Sequence, residues 1–147
     1  MTTGTTIDPF FNFNFTVEID GITVASFKSV SGFDSTVETV EFREGGDPTM
    51  RKLPGRSSYT NVQLKRGLTD DLTLYNWHKS GLNGAVIRKN VSIIVYDRSG
   101  TKPVATWTLK RAWPTKYNGP ELDAEQNLVA IEMLELAHEG LERAGMG

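Results

Sequence analysis

The sequence predicts a mainly β domain, a barrel or sandwich of antiparallel strands with one flanking α-helix. Three observations predict it: apolar and polar residues alternate in several segments, turn residues separate these segments, and a single stretch has convincing helical spacing. The chain has 147 residues, of which 38% are hydrophobic and 23% charged. This size and composition fit one domain, residues 1–147, built around one core.

The first predicted element is a hairpin that follows a short N-terminal arm, residues 1–8. Every second residue of 11–19 is apolar, which is typical of a half-buried strand. Asp20-Gly21 is a strong signal for a two-residue hairpin turn. Residues 22–30 are therefore predicted to form the returning strand.

The next predicted strand covers residues 37–43 and leads into a long connection, Glu44–Ser57. Two prolines and three glycines fall within this connection. They predict that no regular element persists there beyond a short hairpin. Because a connection of this length is uncommon in a compact domain, it is expected to be functional or disordered.

Strand character resumes over residues 59–65, and the one predicted helix follows. Thr69 is the predicted N-cap, and Asp70 and Asp71 are expected to lie in the positively polarised first turn. One stripe of the helix carries Leu72, Tyr75, Lys79 and Leu82, beside Leu74, Trp77 and His78. Gly81 or Gly84 is expected to end the helix, which should cover the core of the sheet.

The last third of the chain predicts a hairpin and a further strand. Residues 91–97 and 104–110 are predicted strands joined by a turn at 98–101. A turn-rich aromatic segment, 113–120, then leads into a strand over 127–138. The apolar positions of that strand change from odd to even numbers, which predicts a β-bulge or a second covered face.

The residue types present argue against most chemistry. The chain has no cysteine and two histidines, so no disulfide framework, metal site or cofactor is expected. Asp70 and Asp71 are interpreted as partners of the helix dipole, and His78 and His138 as ordinary structural histidines. No catalytic motif is present, and the chain is expected not to be an enzyme.

No signal peptide or long apolar run is present in the sequence. We therefore expect assembly in the cytoplasm and no stable membrane insertion. The sequence leaves open whether the final particle is cytoplasmic, membrane-anchored, extracellular or part of a virion tail.

The charge is unevenly distributed along the chain. Residues 48–66 hold five basic residues and no acid, whereas residues 119–147 hold seven acids and one arginine. Solvated faces would explain this pattern, and so would self-association through opposite patches. The sequence leaves both interpretations open.

Ordered blocks spread over residues 8–143 resemble the tail tube protein family. They are Phe11–Gly21, Ser29–Phe33, Lys52–Gly55, Asn61–Gly67 and the stretch from Trp113-Pro114-Thr115-Lys116-Tyr117 to Glu139-Gly140-Leu141. This family builds the inner tubes of contractile-tail bacteriophages and of phage-tail-like contractile injection systems. Each block alone is weak, but their order along the chain is specific.

The resemblance implies a β-barrel-like protomer that assembles into hexameric rings and stacks into a hollow, rigid tube inside a contractile sheath. The implied partners are other copies of the chain, the sheath protein, baseplate or tube-initiator proteins, tube-terminator proteins and a cargo of effector protein or DNA. The implied role of the connection 44–57 is to reach an adjacent ring.

Candidate residues follow from the charge pattern and the implied tube. For contacts between rings they are the cations Arg51, Lys52 and Arg56 with the acids Glu121, Asp123 and Glu125, and for the lumen they are Glu38, Thr39 and Glu41. Alternative functions are a phage tail tube protein, a type VI secretion tube protein and a baseplate tube initiator. A more distant alternative is a carbohydrate-binding β-sandwich that uses Trp77, Trp107 or Trp113 as a sugar platform.

Overall fold

The computed structural model describes residues 14–24, 27–46 and 48–145. The predicted N-terminal arm and the start of the first predicted strand lie outside these ranges. The described residues form one helix, α1 (Thr73–Leu82), and ten strands. The strands are β1 (Asn14–Ile19), β2 (Ile22–Val24), β3 (Phe27–Ser31), β4 (Ser35–Phe42), β5 (Arg51–Tyr59), β6 (Val62–Gly67), β7 (Lys89–Tyr96), β8 (Pro103–Asn118), β9 (Ile131–Ala137) and β10 (Gly140–Gly145).

The long strand β8 joins the two halves of the main sheet. Its first part pairs with β7 and β10, and its last part, from Trp113 to Asn118, pairs with β9. The order of the main sheet is β2-β1-β7-β8-β9-β6-β3, with β10 also on β8. Every strand pair in the described ranges is antiparallel. The predicted mainly β architecture with one helix is confirmed.

A β-bulge redirects β8 from one half of the sheet to the other. Lys110 and Arg111 stand opposite the single residue Asn90 of β7, and Arg111 has a φ of +51°. Asn90 Oδ1 accepts a hydrogen bond from the Arg111 amide at 3.1 Å. The Asn90 amide donates to Oδ1 of Asp20 at 3.0 Å. A bulge bends the strand that carries it. The hydrogen bonds of Asn90 therefore stabilise the bend at which β8 passes from one half of the sheet to the other.

The core lies between the two halves of the sheet, with α1 packed against it. The buried cluster consists of Val17, Ile19, Val24, Val62, Leu64, Leu74, Trp77, Val91, Ile93, Leu109, Ala112, Leu134 and Leu136. The helix supplies Leu74 and Trp77, and the indole N–H of Trp77 donates to the carbonyl of Ile87 at 2.7 Å. The burial of apolar side chains from both halves is what holds the folded sheet together.

The predicted turn between β1 and β2 is confirmed. Asp20 has a φ of +50° and Gly21 a φ of +80°, as a type I′ hairpin turn requires. The single returning strand over residues 22–30 is wrong, because β2 ends at Val24 and a separate strand, β3, begins at Phe27. β2 pairs with β1, whereas β3 pairs with β6 in the other half of the sheet.

The helix begins later than predicted. Its first residue is Thr73, and Leu72 is an N-cap without a side-chain hydrogen bond. Asp71 Oδ1 accepts from the amide of Thr73 at 3.0 Å and from its hydroxyl at 2.7 Å. The acids thus precede the helix, because Asp71 forms a local turn with Thr73 instead of entering the first turn.

The helix buries a different stripe from the predicted one. Leu74 and Trp77 are buried, whereas Leu72 and Leu82 are exposed. The helix end is confirmed: Gly84 follows with a φ of +86° and donates its N–H to the carbonyl of Gly81.

The last third of the chain is more regular than predicted. β7 and β8 form the predicted hairpin, but the segment 113–120 is not a turn, because β8 continues through Asn118. β9 begins at Ile131 instead of 127 and has three consecutive buried residues, Glu132, Met133 and Leu134. This confirms the second covered face. β10 was not predicted, since its six residues have no apolar alternation.

The connection Glu44–Ser57 is not a loop over its whole length. Its second half belongs to β5, which pairs with β4 in a separate two-stranded sheet. Pro54 and Gly55 are accommodated because the sheet has no further strand that would need the missing proline N–H. A Cβ on Gly55 would lie 2.9 Å from Cγ2 of Val40, so this position requires glycine.

Candidate assembly interface

The hairpin Ser35–Tyr59, here called the exposed hairpin, consists of β4, β5 and the turn between them. Every residue of both strands is exposed, and neither strand pairs with the main sheet. Isolated two-stranded hairpins are marginally stable in water. A hairpin of this length, with about 26 Å in the eight residues of β4 and about 30 Å in the nine residues of β5, is therefore expected to gain a partner.

One face of the exposed hairpin is apolar. Val40 pairs with Leu53, and Phe42 pairs with Arg51, so these residues share a face. The exposed fractions are 47% for Val40, 47% for Leu53 and 41% for Phe42. Alternation along β4 adds Glu38 to this apolar face.

The opposite face of the exposed hairpin is more polar. Here Thr39 pairs with Pro54, and Glu41 pairs with Lys52. The three lumen candidates are consequently divided, since Thr39 and Glu41 lie on the polar face and Glu38 lies on the apolar one. A single lumen surface formed by one face can include two of them.

The basic candidates for a contact between rings all lie on β5 and are exposed. Arg51 lies on the apolar face beside Phe42, and Lys52 lies on the polar face. Arg56 lies in a bulge, where β5 carries one more residue than β4. The hairpin therefore presents positive charge on both faces instead of a single basic patch.

The acidic candidates lie on the connection between β8 and β9. Glu121, Asp123 and Glu125 are exposed, and Asp123 Oδ1 accepts from the amide of Glu125 at 3.0 Å. In the described part of the chain, no ion pair joins Lys52 or Arg56 to these acids. A contact of Lys52 or Arg56 with these acids would therefore join two copies of the chain.

An apolar groove opens between the halves of the main sheet, with a volume of about 320 Å³. Its lining residues are Phe15, Val30, Phe33, Ile93, Val95, Val104, Ala105, Trp107 and Arg143. Phe33 and Trp107 stack with their ring centroids 4.8 Å apart. The guanidinium of Arg143 lies 5.5 Å from the Trp107 ring centroid. The sequence did not predict this groove, and Trp107 was considered as a possible sugar platform.

A buried polar network links β6, β8 and β9. Arg66 and Glu132 are 5% and 7% exposed, with Nε and Oε1 3.4 Å apart. The hydroxyl of Tyr117 donates to Oε2 of Glu132 at 2.6 Å, and Arg66 Nη2 donates to the carbonyl of Asp71 at 3.0 Å. The hydrogen bond to Glu132, followed by burial, raises the pKa of Tyr117 to about 12. Arg66 therefore connects the residue just before the helix, Asp71, with Glu132 of β9. The network joins the start of the helix to the sheet, and its role is structural.

His138 and Asp71 have structural partners, whereas the buried Nδ1 of His78 has no hydrogen-bond partner among the described residues. His138 lies 3.0 Å from the carbonyl of Thr60 through Nε2 and 3.1 Å from that of Gly140 through Nδ1. The pKa of the Asp71 carboxyl is lowered, first by the hydrogen bonds from Thr73 and then by Arg66. In the described ranges, no group of three or more histidine or acidic residues could hold a metal ion.

Comparison with known protein families identifies the family to which this chain belongs. A family model described as T4-like virus tail tube protein gp19 matches residues 11–142. The chain belongs to this tail tube protein family. The family resemblance in the sequence is confirmed, and the role of the family is structural.

Solved structures of tube proteins have the same fold. A chain in the sheath–tube complex of an extracellular contractile injection system (PVC) is 29% identical, with a TM-score of 0.84 over 93% of this chain and 92% of that one. A chain in the PVC sheath/tube terminator is 28% identical, with a TM-score of 0.87 over 96% and 100%. No curated protein matches the sequence.

The type VI secretion alternative shares the fold at lower identity. Hcp1 from Flavobacterium johnsoniae is 11% identical, with a TM-score of 0.55 over 89% of this chain and 94% of that one. Trp77 is buried in the core, so it cannot serve as a surface platform for a sugar in the carbohydrate-binding alternative. Among the described residues, no helix has the length and apolarity that crossing a bilayer requires.

Proposed function

We propose that this tube protein assembles into hexameric rings, which stack into the hollow inner tube of a contractile injection system. The observation that carries the proposal is the exposed hairpin, because no described residue of the same copy covers its apolar face. Similarity to the PVC tube chains over more than nine tenths of their length supports the injection system. The alternatives are the tube of a contractile-tail phage and that of type VI secretion.

The proposed mechanism is mechanical. The sheath would drive the tube as a rigid rod through a target envelope, and effector protein or DNA would pass along the lumen. Partners of this kind are named for the similar PVC chains, which come from complexes with sheath and terminator proteins. Baseplate proteins would begin the tube. This role requires no catalytic turnover, and we propose that the chain is not an enzyme.

We propose that stacking brings the exposed hairpin of one ring to the acidic connection of the next. Arg51, Lys52 and Arg56 would then lie near Glu121, Asp123 and Glu125 of another copy. All six side chains are exposed, so the pairing requires no rearrangement of the core. Electrostatic complementarity of this kind fixes register more than it adds affinity.

For the lumen we propose Thr39 and Glu41. They share the polar face of the exposed hairpin, which stays available if the apolar face packs against a neighbour. A polar lining suits a conduit, because an apolar lining would bind cargo. Glu38, on the other face, then belongs to a contact between copies.

Electron microscopy of the purified protein over a concentration series tests the function. We expect sixfold rings and tubes with a stained central channel, and a protein that remains monomeric at high concentration would contradict the tube. In the double variant Arg51→Glu and Lys52→Glu, stacking should fail while the circular dichroism spectrum stays unchanged. The control is Lys79→Glu with Lys102→Glu, which makes the same change in charge at two exposed positions of the body. Normal tubes in the first variant would refute the charge contact but leave the tube intact.

A further inference from the structure

Two of the exposed apolar surfaces in the described part of the chain are large enough to form a contact between copies. One is the apolar face of the exposed hairpin, with Val40, Phe42 and Leu53. The other is the groove, whose aromatic residues Phe33 and Trp107 are only half-buried. Since both surfaces stay exposed, the two do not cover each other within one copy. Burial of such surfaces drives association between proteins.

The groove has the shape and size to receive side chains. Its volume of about 320 Å³ falls at the lower end of the range for pockets that bind ligands, about 300–1,000 Å³. The stacked rings of Phe33 and Trp107 give it an aromatic wall. Aromatic residues in concave sites are the usual anchors of protein interfaces.

The two surfaces carry one pair of opposite charges, Glu38 and Arg143, and Arg51 at the far end of the apolar face has the same sign as Arg143. Arg143 lies at the groove, stacked on Trp107, and Glu38 lies on the apolar face of the exposed hairpin. No ion pair found in the described residues includes either of them. An apolar contact that also pairs Glu38 with Arg143 would set the register of one copy on the next.

The location of the groove explains why it would be filled by a second copy. Phe33 lines the groove and lies two positions before the exposed hairpin, so the groove lies at the base of the hairpin. Phe42 and Leu53 lie toward its far end, at the pairs most distant from Ser35 and Tyr59. If the far end of one hairpin binds the groove at the base of the hairpin in another copy, two different surfaces meet. Such a heterologous contact can repeat from copy to copy.

We propose that the apolar face of the exposed hairpin of one copy packs into the groove of a second copy, with Glu38 against Arg143. This inference rests on the proposed stacking of rings and names the surface that receives the apolar face. The connection between β8 and β9, whose acids are proposed above to lie near the basic residues of the hairpin, is the competing surface for the apolar face itself, because Leu122 and Leu128 are exposed there. The connection is the weaker candidate because, in the described part of the chain, its leucines line neither the groove nor the smaller cavities beside Tyr75 and Ser57.

Disulfide trapping tests this contact in assembled tubes. The natural chain has no cysteine, so only the introduced thiols can react. We expect the variant Leu53→Cys with Val104→Cys to give a ladder of cross-linked copies on mild oxidation, because a disulfide requires Cα atoms about 4.4–6.8 Å apart. The matched control keeps Leu53→Cys and combines it with Leu128→Cys, and it should remain uncross-linked.

The outcomes separate this contact from the tube itself. Tubes that form without a ladder in the first variant, and with one in the control, would overturn the groove contact and leave the proposed function standing. A wild-type chain that forms no rings or tubes would overturn both.

A charge exchange provides a second test that does not depend on a cysteine in the half-buried Val104. Glu38→Arg and Arg143→Glu should each reduce the yield of tubes roughly two- to fivefold, as expected for an exposed ion pair. The two changes together should restore the yield. Equal loss in the double variant would contradict the pairing.

Discussion

The body of the molecule and the exposed hairpin are both built from antiparallel strands, but they differ in how far their apolar side chains are buried. In the body, Leu64, Ile93, Leu109 and Leu136 are fully buried. In the exposed hairpin, every strand residue is exposed, including the apolar ones. The body is thus stabilised by contacts within one chain, whereas the apolar face of the hairpin has no cover among the described residues of one copy.

The same contrast holds for charge. Several charges of the body have partners nearby, such as Arg66 with Glu132 and Lys110 with Glu142. Glu38 and the acids of the connection between β8 and β9 take part in none of the ion pairs of the described residues. A mutation in the body should therefore change folding, and one in the hairpin should change assembly.

The largest effect on folding is expected at the buried pair. Glu132→Ala leaves Arg66 buried without its carboxylate and removes the acceptor of Tyr117, which should lower the free energy of unfolding by about 3–5 kcal/mol. Urea denaturation measures this change in the free energy of unfolding. The control is Glu139→Ala, which removes an exposed pair with Arg111 and should cost at most about 1 kcal/mol. Equal losses would show that burial does not distinguish the two pairs.

The same substitution can be made in both regions. Leu64→Ala removes a buried side chain and should lower the free energy of unfolding by about 2–5 kcal/mol. Leu53→Ala should change the free energy of unfolding of the monomer by no more than about 0.5 kcal/mol. It should, however, reduce the yield of tubes. Chemical denaturation and electron microscopy measure the two effects. Leu53→Ala with normal tubes would contradict a role of the apolar face in assembly.

A smaller effect is expected from pH. The folded state raises the pKa of Tyr117 to about 12, above the ordinary value of about 10. The stability that this hydrogen bond contributes is present below pH 10 and lost as pH rises toward 12, because the unfolded chain releases the proton first. Tyr117→Phe should flatten the dependence of unfolding on pH between those values. An unchanged slope in the variant would assign the effect to other groups.

Local signals in the sequence were read correctly. The turn at Asp20-Gly21 was predictable because both residues tolerate a positive φ, and Gly84 ended the helix for the same reason. The hairpin β7–β8 was predictable from its alternation. These features depend on neighbouring residues, so the sequence alone contains the information.

Elements that depend on distant partners were misread. β5 contains Pro54 and Gly55, which usually interrupt strands, and it forms because β4 offers a partner and no third strand follows. β10 has little apolar alternation and forms by pairing with β8. The helix starts late because Asp71 bonds to Thr73 and to Arg66, five residues earlier in the chain.

The sequence by itself determined the mainly β class, the single helix, the first turn and the family, because these follow from short-range periodicity, turn residues and ordered motifs. Only the tertiary structure decided the groove at Trp107, the network of Arg66, Glu132 and Tyr117, and the division of the exposed hairpin into an apolar and a polar face. The physical reason is that each of these depends on strand register and on side chains far apart in the chain. A shift of one residue in register would move every side chain to the opposite face.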